Sequence, residues 1–258
     1  MKKLINKTIV ITGASSGIGE ACAHAFAQAG ANLLLCARRI NKLNILAEQL
    51  ISQYPIRVLT RELDITQLAD VNRTFSTLPN DWNNLDVLIN NAGLAAGLDF
   101  LFAGDIEDWE RMIDTNLKGL LYVTKAILPT MITRNQGHII NIGSIAGHEV
   151  YPKGNVYCAT KYAVRALTKG LKMDLLGTAI RVSSIDPGAV QTEFSEVRFH
   201  GDKARAQAVY AGMTPLTAAD IADAAIYCAS RPAHVNISEM LILPTDQAAA
   251  TMTHRYKQ

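Results

Sequence analysis

Of the eight tyrosines in this chain, only Tyr157 is followed four residues later by a lysine, Lys161. The pair lies in the run from His138 to Leu167, which reads as a buried strand, a loop and the opening of a helix, with Ser144 at the strand's end. Residues four apart on a helix project from one face. A phenol with its ordinary pKa of about 10 is a poor base at neutral pH. An ammonium about 4 Å away interacts with it by roughly 4 kcal/mol at an effective dielectric of about 20, which bounds the lowering of that pKa at about three. Tyr157 would then fall in the working range of a general acid/base, while Ser144 could hydrogen-bond a substrate oxygen. The same spacing also arises as a chance pair on an exposed helix, so the surrounding elements must decide.

The first of those elements have the order of a phosphate site. Thr8 to Thr12 is a β-branched run, Gly13-Ala14-Ser15-Ser16-Gly17-Ile18-Gly19 follows it, and a helical pattern runs from Glu20 to Ala29. A strand, a glycine turn and a helix N-terminus in that order hold an anion, because backbone N–H groups and the helix dipole converge there. A second apolar run, Ala31 to Cys36, ends at Ala37-Arg38-Arg39. A dinucleotide fold reads the adenine ribose at this point, with an acid when the ribose hydroxyls are free. Two guanidinium groups suit a 2′-phosphate instead, and the plainer alternative is a solvated pair opening the next helix.

The alternation continues through a helix from Ile40 to Gln53 and a strand from Ile56 to Glu62, with Asp64-Ile65 at its end. A helix from Thr66 to Leu78 with Thr66 as its cap comes next, then a strand from Asp86 to Asn90 before Asn91-Ala92-Gly93. Ile106 to Asn135 reads as a long helix carrying Asn116, kinked or divided at Pro129. Gly137 opens a fifth strand, and Ile180 to Ile185 forms a sixth that Asp186-Pro187-Gly188 releases into a loop over the carboxyl end of the sheet. Glu193 to Gly212 is polar and weakly periodic, which makes the region 189–212 a candidate mobile lid. A helix from Thr217 to Ser230 capped by Thr217, a last strand from Asn236 to Leu243 and a tail from Pro244 complete the chain. This alternation predicts an α/β fold with a parallel sheet covered on both faces, in one domain spanning 1–258.

Composition sets the class. A chain of 258 residues, 49% hydrophobic and 19% charged, can bury a large core and leaves little room for disorder. The formal net charge of +2, with no basic cluster beyond Arg38-Arg39, gives no support for a nucleic-acid surface or a polybasic membrane patch. Cys22, Cys36, Cys158 and Cys228 are scattered and unpaired in sequence, which predicts reduced thiols in a cytosolic protein and neither a metal site nor a disulfide frame. Met1 to Thr12 superficially resembles a signal peptide, but its apolar run is short and leads into the glycine turn, as a first core strand does. No stretch is long and apolar enough to span a membrane.

Together, Thr12-Gly13-Ala14-Ser15-Ser16-Gly17-Ile18-Gly19, Asn90-Asn91-Ala92-Gly93, Asn116, Ser144, Tyr157-x-x-x-Lys161 and Pro187-Gly188 resemble the short-chain dehydrogenase/reductases, in family order over nearly the whole chain. The resemblance implies a Rossmann-type doubly wound parallel sheet of seven strands and hydride transfer at a nicotinamide. Its tetrad falls on Asn116, Ser144, Tyr157 and Lys161, all as the family has them. Tyr157 would be the acid/base and Ser144 would orient the carbonyl, so these two would touch substrate. Lys161 would hold the nicotinamide ribose and lower the tyrosine pKa, and Asn116 would hold a proton-relaying water. Gly13, Ser15, Ser16, Gly17, Ile18 and Gly19 would line the pyrophosphate and adjacent ribose, with Arg38 and Arg39 on the 2′-phosphate of NADP(H). Asp64 and Ile65 would flank the adenine and Asn91 its ribose, while Pro187, Gly188, Val190 and Thr192 would close over the nicotinamide end. Within the Asn90-Asn91-Ala92-Gly93 motif, part braces the sheet.

A narrower resemblance covers Glu193 to Asp202, Pro232 to Ile237 and Pro244 to Gln247, which look like the NADP-dependent 3-hydroxy acid dehydrogenases that oxidise serine and allo-threonine type substrates. Arg198, the only arginine between Glu193 and Asp202, could bind a substrate carboxylate in two-point fashion, but base rates for exposed arginines favour a solvated or subunit-contact side chain, so it is not counted among the site residues. A homotetramer is implied by the family, with the Trp109, Met112, Ile113, Leu117, Leu120 and Leu121 stripe and Val164, Leu167 and Leu171 as candidate faces. The alternatives are a broad NADPH carbonyl reductase, a 3-oxoacyl reductase, which would need a basic surface for its carrier, and a nucleotide sensor without turnover on the same fold.

Overall fold

The computed structural model describes residues 4–256, so Met1 to Lys3 and the last two tail residues lie outside the described residues. Seven parallel strands form one sheet: β1 (Thr8–Thr12), β2 (Asn32–Ala37), β3 (Val58–Glu62), β4 (Val87–Asn90), β5 (Gly137–Ile142), β6 (Ile180–Pro187) and β7 (Glu239–Ile242), in the order β3-β2-β1-β4-β5-β6-β7. This is the Rossmann-type arrangement expected from the alternation. β1, β4 and β5 are buried along their whole length, and that is why they show no alternation of apolar and exposed polar residues; the polar His138 and Asn141 of β5 are buried and hydrogen-bonded to Ser183 and Asn90. The winding reverses between β1 and β4, so the loops leaving their carboxyl ends diverge and open a crevice there.

Helices cover both faces. On one, Phe26 of α1 (Gly17–Gln28), Leu43 and Leu50 of α2 (Ile40–Gln53) and Ile221 of α9 (Ala218–Ala229) close over Ile9, Ile11 and Leu33. On the other, Val71 of α3 (Leu68–Ser76), Val123, Ile127 and Met131 of α5 (Leu120–Arg134) and Leu175, which follows α6 (Asn155–Asp174), cover Val10, Leu34 and Leu88. Thr217 caps α9 through a capping box with Asp220, as its sequence signature predicts.

Three expectations need correction. The long helix carrying Asn116 is not broken at Pro129; α4 (Ile106–Ile113) runs into a π-helical stretch, Asp114–Gly119, and then into α5, which continues through Pro129. Pro129 is exposed, and the packing of Val123, Ile127 and Met131 on the sheet holds the helix across the one missing N–H. The irregularity falls instead around Asn116, whose side chain it turns inward. Thr66 does not cap α3, which starts at Leu68 behind Gln67; its hydroxyl is bonded to Asp64 Oδ1 at 2.8 Å. The stretch from Glu193 to Gly212 is more ordered than its sequence suggests, carrying two short helices, α7 (Phe194–Arg198) and α8 (Lys203–Ala208). In the tail, β8 (Gln247–Ala249) and β9 (Met252–Thr253) pair as a small hairpin.

Candidate active site

The glycine turn is built for close approach. Gly13 and Gly17 have φ of +66° and +58°, in the left-handed region where a side chain is strained. At Gly19 a Cβ would lie 2.3 Å from the Gly13 carbonyl oxygen and 2.6 Å from Asn91 Nδ2. Asn91 therefore braces this turn: Nδ2 donates to the Thr12 carbonyl at 2.9 Å and to that of Gly13 at 3.2 Å. Asn90 braces the sheet, donating to Thr124 Oγ1 and Asn141 Oδ1, both at 2.9 Å. Thr192 reaches the turn from the far side, its Cβ 3.3 Å from where a Gly17 side chain would begin, which brings the loop after β6 onto the crevice.

At the end of β2 the two arginines part company. Arg39 folds back onto the turn, donating to Ser15 Oγ at 3.1 Å and Ser16 Oγ at 2.6 Å, whereas Arg38 is exposed and has no side-chain hydrogen bond among the described residues. Asp64 is half-buried at the end of β3, and Ile65 is buried with its side chain against Gly119.

Across the crevice, β5 delivers Ser144, whose Oγ accepts from Ala146 N at 3.1 Å. Tyr157 and Lys161 lie one turn apart near the start of α6, both buried. Lys161 Nζ donates to the Ile142 carbonyl at 2.9 Å and lies 5.9 Å from the Tyr157 ring centre. Asn116 Oδ1 accepts from Leu94 N at 2.8 Å, and Nδ2 donates to the Leu94 carbonyl at 2.8 Å and Thr160 Oγ1 at 3.1 Å. Both amide hydrogens are thus spent, so this side chain can hold a water only through the free lone pair of Oδ1. A Cβ on Gly93 would sit 3.2 Å from Asn116 Oδ1 and 3.7 Å from Lys161 Nζ, which puts Asn116 and Lys161 side by side over that glycine. All four tetrad positions therefore converge on the same end of the sheet.

The electrostatics differ from the expectation in one respect. In the free protein, burial pushes the Tyr157 phenol well above its ordinary pKa, Tyr151 adding to the effect, and the Arg198 charge and Ser144 hydroxyl only partly oppose it. Lys161 is not the cation that pulls Tyr157 down; its own pKa is lowered to about 8 by burial, with the Asp186 carboxylate working against that. The physical reason is what covers the ring. Phe194 meets it edge-on at 5.7 Å, and Arg198 lies over it with the guanidinium carbon 5.0 Å from the ring centre.

Arg198 was the ambiguous residue of the sequence, and it is neither free in solvent nor remote. Its Nη2 donates to Tyr151 Oη at 2.6 Å, its Nε is buried without a hydrogen-bond partner, and with Tyr157, Trp109, Met112, Ala96 and Lys153 it lines a cavity beside the tyrosine. A family model described as short chain dehydrogenase matches residues 7–203. This chain belongs to the short-chain dehydrogenase family. It is 43% identical over 256 residues to an NADP-dependent 3-hydroxy acid dehydrogenase of Schizosaccharomyces pombe, covering 99% of each chain. It is 46% identical over 249 residues to an NADP-dependent 3-hydroxy acid dehydrogenase of Salmonella typhi, covering 96% of this chain and 99% of that one. The closed form of a serine dehydrogenase complexed with NADP+ superposes with a TM-score of 0.91 at 42% identity, over 97% of this chain and 100% of that one. The protein is accordingly an oxidoreductase of this family acting on hydroxyl groups.

Two parts of this dehydrogenase's site had no signal in the sequence. Tyr151, in the loop between Ser144 and α6, joins Arg198 beside the Tyr157 ring. Behind the tetrad, His148 bonds Asp186 at 2.8 Å, and Glu239 links His148 to Arg165, one turn beyond Lys161 on α6. Those partners lie 38 to 91 residues apart in the chain, beyond the reach of a local pattern. No helix among the described residues is long and apolar enough to cross a membrane.

Proposed function

We propose that this enzyme transfers a hydride between NADP(H) and the hydroxyl-bearing carbon of a small 3-hydroxy acid such as serine or allo-threonine. The observation that carries the substrate half is Arg198, a guanidinium lying 5.0 Å from the Tyr157 ring centre with a buried donor that has no partner. A buried N–H without an acceptor is costly, and a carboxylate two bonds from the reacting carbon would satisfy it while bringing that carbon to Tyr157. The names of the relatives support the same substrate class.

The cofactor half rests on the crevice. The glycine turn is packed so closely that a Cβ at Gly19 would meet the Gly13 carbonyl oxygen at 2.3 Å, which lets backbone approach an anion at the helix N-terminus, and Arg39 with Ser15 and Ser16 presents donors suited to a 2′-phosphate. The nicotinamide, when bound, supplies or accepts the hydride. Ser144 would then orient the substrate oxygen and Tyr157 would give it a proton in reduction or take one in oxidation. Lys161 would hold the nicotinamide ribose, and Thr192, against Gly17, would fix the closing loop. The segment 189–212 acts in this reading as the substrate lid, and the protein works as a cytosolic homotetramer. Buried, unpaired cysteines fit a reducing compartment, and Ile113 and Leu121 are exposed on the α4–α5 face while Met112 and Leu120 are buried.

Replacing Arg198→Met tests the substrate assignment. KM for L-serine or allo-threonine should rise at least about tenfold, a loss of about 1.4 kcal/mol, with KM for NADP+ nearly unchanged. An unchanged KM for the hydroxy acid would overturn the role of Arg198. A wild-type enzyme that reduces uncharged ketones far better than it oxidises any hydroxy acid would shift the reading to a broad carbonyl reductase.

A further inference from the structure

Glu193 occupies the position of an anion at the outer end of the nucleotide crevice. Its Oε2 accepts from Arg39 Nη1 at 2.9 Å and its Oε1 from Lys42 Nζ at 3.2 Å. Arg39 is fixed in turn by Ser15 Oγ, Ser16 Oγ and, at 3.5 Å, the Ser15 carbonyl oxygen. Two cations and two hydroxyls therefore converge at the end of β2, and the group they hold in this structure is a carboxylate from the loop that follows β6. We propose that Glu193 is a specificity-determining residue for the cofactor: an internal competitor for the 2′-phosphate subsite made by Arg39, Lys42, Ser15 and Ser16. The inference rests on the NADP(H) reading given above.

The charges dictate the competition. A phosphate monoester carries about −1.5 to −2 at neutral pH, and it cannot share the same two cations with a carboxylate without strong like-charge repulsion. A 2′-phosphate must therefore displace Glu193, whereas a 2′-hydroxyl leaves both ion pairs intact. Burial works to raise the Glu193 pKa, but the hydrogen bonds and charges of Arg39 and Lys42 outweigh it and hold the carboxyl below its ordinary range, so the competitor is charged at neutral pH. The pairs are about half exposed, at 45%, 49% and 46% for Arg39, Lys42 and Glu193, so each is weak and screened by salt and the exchange is readily reversible.

Displacement also reaches the substrate side. Glu193 immediately precedes α7, and the last residue of that five-residue helix is Arg198 on the Tyr157 ring. Releasing Glu193 unties the near end of the segment that carries the proposed carboxylate-binding cation. Occupation of the 2′-phosphate subsite and placement of Arg198 are thus linked through one short helix.

Calorimetric titration of the intact protein with adenosine 2′,5′-bisphosphate and with adenosine 5′-monophosphate isolates the 2′-phosphate from the nicotinamide. Glu193→Gln should bind the bisphosphate about fivefold more tightly than the wild type does, with the monophosphate changed less than about twofold. Unchanged or weaker bisphosphate binding by the variant, while the wild type still prefers the bisphosphate, overturns the competitor role alone. A wild type with no preference for the bisphosphate overturns the 2′-phosphate reading itself, and the competitor with it.

Discussion

Tyr157→Phe is expected to lower kcat by at least about 100-fold and to leave NADPH affinity within a few fold, in the range for removing a general acid/base. The ring is only 8% exposed, packs edge-on against Phe194 and lies under Arg198, and phenylalanine preserves every one of those contacts. Only the hydroxyl beside Ser144 is lost. A phenol is protonated at neutral pH, and burial raises the Tyr157 pKa further, so the hydroxyl is in the form needed to donate to a developing alkoxide during carbonyl reduction. Stopped-flow or steady-state turnover with NADPH, together with a binding titration, separates the two effects. A variant that keeps more than about a tenth of the wild-type kcat, a loss under roughly 1.4 kcal/mol, would show that the proton comes from elsewhere.

Gly19→Ala is expected to destabilise the protein by about 2 kcal/mol and to weaken NADPH binding at least about tenfold. The new methyl would stand 2.3 Å from the Gly13 carbonyl oxygen and 2.6 Å from Asn91 Nδ2. Neither neighbour can yield cheaply, because Gly13 is held at φ +66° and the Asn91 amide is tied to the Thr12 carbonyl at 2.9 Å. Relief must come from moving the turn, which is the part that would hold the pyrophosphate. Thermal melts should show a midpoint lower by about 5 °C. Gly170, on α6 with nothing within 4 Å of its would-be Cβ, is the control position. A Gly19→Ala protein that melts with the wild type and binds NADPH as tightly would contradict the close-packed cradle.

The elements that position the site were legible because their signals are local. β1 and β4 are fully buried and therefore read as short, mainly apolar β-branched runs, and the Thr217–Asp220 pair announces α9 through its own capping box. The convergence of Ser144, Tyr157 and Lys161 followed from a strand end and a one-turn spacing. What stayed hidden depends on distant partners. The π-helical stretch at Asn116 is fixed by Leu94 and Thr160, which lie 22 and 44 residues away, so no periodicity in the helix reveals it. The sign of the Tyr157 shift depends on how completely Tyr151, Phe194 and Arg198 cover the ring, and a Coulomb estimate from Lys161 alone misses that desolvation. The tie between Arg39 and Glu193 spans 154 residues. Arg39 and Arg38 also read alike in sequence, and only the folded turn separates the one engaged with Ser15 and Ser16 from its exposed neighbour.

The proposed reaction turns on recognition of a substrate carboxylate beside the tyrosine that moves the proton. Its most direct test is the NADP+-dependent oxidation of 3-hydroxypropanoate compared with that of its methyl ester, which removes the charge presented to Arg198 and adds one methyl group. The account predicts a kcat/KM at least about tenfold higher for the acid, equivalent to about 1.4 kcal/mol. An ester oxidised as well as the acid, or better, would contradict it.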